Sequence, residues 1–246
     1  VLRALLYGLA ASSALVMGAL IGALWRTPPR QVTGVLLAFA SGALISALAF
    51  ELFEEAVHLG SITHAGLGLL AGAAAFVAAD TALDRAVTGR PGPEQREVAG
   101  TRGGPGQVMG WALLAAVTLD GVPENLALGV SLTEGASVAL LLAIFASNLP
   151  EALVGAVAMR EGGRGVGGVM AIWTLCALVL AAAVVGGRAV GGSLDPGVLA
   201  VALGFAGGAV LASLADTLMP EAYSEGRPLN AFASAAGFFL SFVLAA

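Results

Sequence analysis

Two stretches, Asp120-Gly121-Val122-Pro123-Glu124-Asn125 and Ser147-Asn148-Leu149-Pro150-Glu151, place carboxylates inside long apolar runs. On translocon-based scales an acidic residue at a helix centre in a bilayer costs about 2.5–3.5 kcal/mol, so a partner must offset it. Asp120 and Glu124 are four residues apart, and Ser147 and Asn148 stand four and three residues before Glu151. On helices these spacings put each set of oxygens on one face. Each stretch also carries a proline, which cannot donate to the carbonyl four residues earlier. Pro123 and Pro150 therefore free the Leu119 and Ala146 carbonyls, and both helices are expected to be broken there. The sum is a cluster of hard oxygen donors, some anionic, with no cationic side chain in either stretch. A divalent metal ion is the simplest partner. Asp120, Glu124, Asn125, Ser147, Asn148 and Glu151 form the expected ligand set. It suits Mn, Fe(II), Zn or Cd better than Cu(I), which prefers sulfur, and Mg or Ca would also accept these donors. The competing reading is that the acids cap kinks or hydrogen-bond between helices.

The chain that must position these residues is 58% hydrophobic and 11% charged over 246 residues, with mean hydropathy +0.92. That balance excludes a soluble globular domain and specifies an all-α polytopic membrane protein. Apolar stretches of spanning length run over about 5–25, 33–57, 64–84, 108–132, 136–159, 165–188, 197–221 and 229–246, predicting eight transmembrane helices in a single domain over 1–246. The connections are tight except for the Gly-, Pro- and Arg-rich loop from Asp84 to Gln107, which is expected to be mobile. The breaks after helices one, three and five hold Arg26, Arg30, Arg85, Arg90, Arg96, Arg102, Arg160 and Arg164; Arg3, Arg188 and Arg227 are assigned to the opposite side. The odd-numbered loops are therefore expected in the cytoplasm and both termini outside, in a cell (inner) membrane. The single cysteine, Cys176, reads as a small core residue and precludes an intrachain disulfide. No nucleic-acid surface is visible.

Two internal repeats stand out. Phe39-Ala40-Ser41-Gly42-Ala43 in helix two recurs as Phe205-Ala206-Gly207-Gly208-Ala209 in helix seven, and the same register carries Leu48-Ala49 onto Leu214-Ala215 and Glu55-Ala56 onto Glu221-Ala222. Pro123, Glu124, Leu126, Val130, Glu134 and Gly135 recur at constant offset as Pro150, Glu151, Leu153, Val157, Glu161 and Gly162. Both pairs join antiparallel spans, the pattern of an inverted-topology repeat with a midplane substrate site. Outside the central stretches, Glu51 in helix two and Asp216 in helix seven are candidate pathway residues, Glu51 attracting a cation and Asp216 serving an exit or proton path. A lone interfacial acid and an interhelical hydrogen bond are their respective alternatives. His58 and His64 flank the turn between helices two and three, as solvated loop residues or as a transient metal contact.

The polar-x-x-Pro-Glu motifs of helices four and five, the Phe-Ala-x-Gly-Ala openings of helices two and seven, the segment Leu218-Met219-Pro220-Glu221-Ala222 and the hydrophilic loop after helix three together resemble the ZIP (Zrt/Irt-like) family of divalent metal transporters, over nearly the whole chain. The resemblance implies eight helices with both termini outside, import of zinc or similar ions, and an elevator-like movement of helices one, four, five and six against the other four. Family members often form dimers, so a homodimer joins metal ions and the lipid bilayer among the expected partners. Carried over by position, Glu124 and Glu151 match the metal-bridging glutamates. The chain departs from the family pattern at Asp120 for histidine, Gly121 for asparagine and Asn125 for glycine. The helix-two thioether position falls near Leu44, and helix six, with Trp173-Thr174-Leu175-Cys176, lacks the acid that some members give to a second metal.

The expected function is a transporter, not an enzyme, with zinc first and manganese or ferrous iron next, and with no cofactor apart from its cargo. A non-transporting metal sensor and an intramembrane metalloenzyme are the alternatives. No His-Glu-x-x-His motif supports the latter.

Overall fold

With no water to bond the backbone, an apolar chain satisfies its N–H and C=O groups within helices. The computed structural model describes residues 1–25, 28–88, 118, 121–133 and 138–245, and helix is the only regular structure among them. The order is α1 (Leu2–Leu24), α2 (Arg30–Ala47), a π-helical segment (Leu48–Phe53), α3 (Glu54–Leu59), α4 (Ile62–Thr88), α5 (121–131), α6 (Val138–Glu161), α7 (Val166–Gly191), α8 (Pro196–Ser213), a second π-helical segment (Leu214–Leu218), α9 (Met219–Gly226) and α10 (Asn230–Ala245). Among the described residues six helical stretches are long and apolar enough to cross a membrane: Leu2–Leu24, Arg30–Leu59, Ile62–Ala82, Val138–Glu161, Val166–Gly191 and Pro196–Gly226. α10, at 16 residues, is shorter. The expected loop 85–107 and the first part of helix four lie largely outside the described residues.

Local chemistry sets several helix ends. Pro196 occupies the first turn of α8, where its missing N–H leaves no bond unmade. α6 stops in a Schellman turn: Gly163 takes φ +87°, its N–H donates to the Arg160 carbonyl at 3.0 Å, and Arg164 N–H donates to the Met159 carbonyl at 3.0 Å.

Two expectations need correction. Pro150 does not break its helix, because α6 runs unbroken from Val138 to Glu161 with the proline inside; 121–131 are helical, and the break expected at the Leu119 carbonyl before Pro123 lies outside the described residues. A proline removes one donor, and helix on both sides holds its turn in register. The interruptions fall in helices two and seven instead, as the π-helical segments. Those segments begin at Leu48 and Leu214, which the longer repeat already places in the same register. The second correction concerns Arg227. Gly34, near the start of α2, packs against the backbone of Glu225 and Gly226, so Arg227 sits at the Arg30 end rather than opposite it.

Close backbone approach organises the bundle. A Cβ at Gly18 of α1 would collide with the Leu149 carbonyl oxygen of α6, and one at Gly22 with that of Leu153, so these helices run parallel with their backbones in contact. α4 meets α8 in the same way, at Gly72 over the Phe205 carbonyl. α5 lies along α7, with Gly121 on Leu180 and Gly187 on the Leu126 carbonyl. The helices fall into two groups. α1, α6 and α7 pack together, whereas α2, α4, α8, α9 and α10 pack among themselves, and α2 against α6 is the main junction. One apolar cluster draws only on the first group and α5: Leu15, Ala19, Ala152, Ala156, Trp173 and Leu180, with Val122 packed against it. The other crosses both groups, joining Leu128 and Ile144 to Leu44, Leu203 and Leu214.

Two expectations follow. Gly18→Leu should lose about 1–3 kcal/mol or more of stability by overpacking the α1–α6 contact, whereas Gly186→Ala, at a mid-α7 glycine with open space around it, should gain about 0.5–1 kcal/mol; thermal unfolding of the detergent-solubilised protein measures both. Separately, single-cysteine variants at Arg30, Arg164 and Arg227 should react with an impermeant maleimide from the same face of sealed vesicles, and labelling of Arg227→Cys from the other face would contradict the packing of Gly34 on Gly226.

Candidate functional site

α5 and α6 position the central polar residues. On α5, Glu124 and Asn125 are buried, at 7% and 0% exposure. The Asn125 amide Nδ2 donates to the Gly121 carbonyl at 2.8 Å, a bond only the nitrogen end can make. That fixes the orientation of the amide and leaves its Oδ1 buried with no donor. A buried acceptor left unpaired costs about 1–3 kcal/mol. On α6, Ser147 and Asn148 are fully buried and Glu151 is half-buried. Ser147 Oγ donates to the Ile144 carbonyl at 3.0 Å, which directs the hydrogen along its own helix and leaves the oxygen lone pairs facing out. The Asn148 Nδ2 has no acceptor. Both glutamates have interaction partners.

The connection between the two helices runs through α7. Thr118, just before α5, puts its Oγ1 4.0 Å from the Cys176 Sγ. Trp173 stacks its ring edge over Gly155, whose Cβ would meet the ring at 2.5 Å. The α7 face that carries Trp173 and Cys176 is thus turned toward the α6 face that carries Gly155 and Glu151.

Asp120, the sixth member of the expected ligand set, lies outside the described residues, between Thr118 and Gly121. Among the described residues no three or more His, Cys, Asp and Glu side chains converge on one point suited to a metal ion. What the described residues show is therefore a buried carboxylate and amide on α5, a buried amide and a half-buried carboxylate on α6, and Thr118 next to Cys176 of α7. Glu51 and Asp216 are not part of this group. Each lies in one of the two π-helical segments, the first half-buried and the second exposed. Single-turn π segments inside α-helices recur at functional positions. The histidines are engaged locally: His58 Nε2 lies 3.7 Å from Glu54 Oε1, and His64 Nδ1 lies 2.8 Å from the Ser61 hydroxyl.

Sequence reading missed Thr118 and took Cys176 as core filling. It is a core residue, 1% exposed in the apolar cluster with Leu15, Trp173 and Leu180, with the Thr118 hydroxyl 4.0 Å from its sulfur. The only sequence signal was its place one helical turn after Trp173, and nothing in the sequence specifies the rotation of α7 relative to α6.

Among the described residues the chain is helical throughout its regular structure, with several membrane-length helices, consistent with a multi-pass membrane protein that buries Glu124, Asn125, Ser147 and Asn148. Compared with protein-family models and with curated proteins, the chain matches none.

The unpaired Asn125 oxygen predicts a specific response to ions. Metal-free Asn125→Leu should match the wild type in stability to within about 1 kcal/mol, since it removes one hydrogen bond together with one unsatisfied acceptor. Added zinc should raise the unfolding temperature of the wild type and much less that of the variant, as ligand linkage requires; equal rises would exclude Asn125 as a ligand.

Proposed function

We propose that the chain is a ZIP-type transporter that moves a divalent transition metal into the cytoplasm, with zinc first and manganese, ferrous iron or cadmium as further cargo. The metal is the substrate, held by Asp120, Glu124, Asn125, Ser147, Asn148 and Glu151. The observation that carries this reading is the Asn125 Oδ1, a fully buried acceptor with no donor, next to the buried Glu124. A buried acid and an orphaned buried oxygen at consecutive positions of a helix in an apolar bundle support a cation as partner, and hard oxygen donors suit a divalent one. A helix kink needs neither.

The rest of the architecture supports the same reading. Eight helices follow if the stretch containing α5 and the 16-residue α10 both span the bilayer beside the six longer stretches. An inverted repeat of helices two and seven is supported by the π-helical segments, which interrupt both at the same repeat register. Elevator-like movement is supported by the grouping of α1, α5, α6 and α7 around their own apolar cluster, joined to the other group mainly through α2 and α6. With Arg227 moved to the Arg30 end, the arginine asymmetry favours cytoplasmic odd-numbered loops more strongly, and so external termini. A substrate site for transport has to release its ion as well as bind it, so a ligand set without histidine remains workable. In this reading the chain is a carrier with no catalytic residue. It acts in a cell membrane with a homodimer as its expected assembly.

Uptake into proteoliposomes loaded with a metal-sensitive dye tests the proposal against Zn, Mn, Fe(II), Cd and Co in turn. Wild-type protein should accumulate at least one of these ions, and Glu124→Ala should abolish that accumulation. No protein-dependent accumulation of any ion would overturn the transport reading and leave a sensor or an enzyme.

A further inference from the structure

We propose that Arg30 and Arg227 form a docking site for the phosphate headgroup of an anionic phospholipid, in the leaflet at their end of the bundle. The inference rests on the multi-pass membrane architecture and is independent of any metal bound by α5 and α6.

The two arginines belong to different spanning stretches that end at one level. Arg30 opens the stretch Arg30–Leu59, and Arg227 directly follows the stretch Pro196–Gly226. Gly34 lies one turn after Arg30 on the same face of α2, and its backbone touches that of Glu225 and Gly226. The start of α2 therefore lies beside the chain that leads from Gly226 into Arg227. The stretch from Arg30 is 30 residues long, whereas about 20 helical residues cross the hydrocarbon layer. Its ends reach the headgroup region, where lipid phosphates lie.

The protein neutralises neither guanidinium. Both arginines are exposed, and among the described residues neither forms an ion pair, although Glu225 stands beside Gly226. The Arg227 Cζ lies 4.9 Å from the centre of the Tyr223 ring. Such stacking holds the guanidinium plane and leaves its N–H edge free to take two phosphate oxygens at once. The surround selects the kind of anion. Val32 is 44% exposed, Tyr223 57%, Leu229 52% and Phe232 78%. A soluble anion gains nothing from an apolar collar around a basic centre, whereas a phospholipid meets the collar with its acyl chains and the arginines with its phosphate. One lipid bound to both arginines ties the start of α2 to the end of α9.

The test titrates full-length protein in a neutral detergent with phosphatidylglycerol or phosphatidylcholine. Native mass spectrometry counts the bound lipid, and thermal unfolding is followed in parallel. Expected is one phosphatidylglycerol held more tightly than any phosphatidylcholine, with a higher unfolding temperature. Arg30→Gln and Arg227→Gln should each weaken that binding about fivefold, the contribution of one arginine near an anionic surface. Arg164→Gln, at the end of α6, should leave it unchanged. Glu225→Gln removes the neighbouring negative charge and should tighten binding by a similar factor, a gain that a misfolded variant cannot give. Equal retention of the two lipids, or binding unchanged in both arginine variants, overturns the site. The same stabilisation from inorganic phosphate alone assigns the patch to a soluble anion and overturns the lipid as occupant. None of these results bears on transport, which ion uptake decides separately.

Discussion

An apolar helical bundle penalises every polar group it buries, and the penalty falls hardest on an acceptor with no donor. Asn125 shows the constraint most clearly, because its nitrogen is committed to the Gly121 carbonyl and its oxygen to nothing. Asn148 on α6 carries the opposite imbalance, a buried nitrogen with no acceptor. A sequence under pressure only to fold would carry leucine or alanine at these positions, as it does at Leu126, Ala127 and Leu128. The cation of the proposed function would give the Asn125 oxygen a partner.

The glycines determine how precisely the cluster is held. Without lipid-exclusion forces between helices, association depends on close packing, and glycine allows backbones to touch. Gly18 and Gly22 dock α1 onto two successive turns of α6 just where Leu149 and Leu153 flank Glu151. Gly121, Gly129 and Gly187 dock α5 onto α7 in the same manner. The polar residues of α5 and α6 are therefore carried on one tightly joined group, α1 with α5, α6 and α7. The junction with the second group is borne mainly by α2 on α6.

The second group carries its own irregularity. Glu51 and Asp216 are each the one acidic residue of a π-helical segment, and the two segments begin at matching repeat positions, Leu48 and Leu214. A π segment adds a residue to a turn and leaves a carbonyl without its usual partner. It also rotates the helix that follows, which separates the facing directions of α2 from α3 and of α8 from α9.

Much of this protein was legible in its sequence. Hydropathy placed the observed helices to within a few residues at most ends, because burial of spanning apolar runs depends on composition alone. The spacing of Glu124-Asn125 and of Ser147, Asn148 and Glu151 identified the buried polar residues, because a carboxylate in an apolar run is conspicuous whatever the fold. Arg227 follows the seventh of the eight expected spans, so the alternation of spans already puts it at the Arg30 end, and Gly34 meeting Gly226 bears that out. Two features needed the tertiary structure. Pro150 does not interrupt its helix, and the π segments at Leu48 and Leu214 do interrupt theirs, because local breakage is decided by what packs against a turn rather than by the residue in it. The Thr118 hydroxyl meets Cys176 only through the rotation of α7, a contact between residues far apart in sequence that no spacing within one helix encodes.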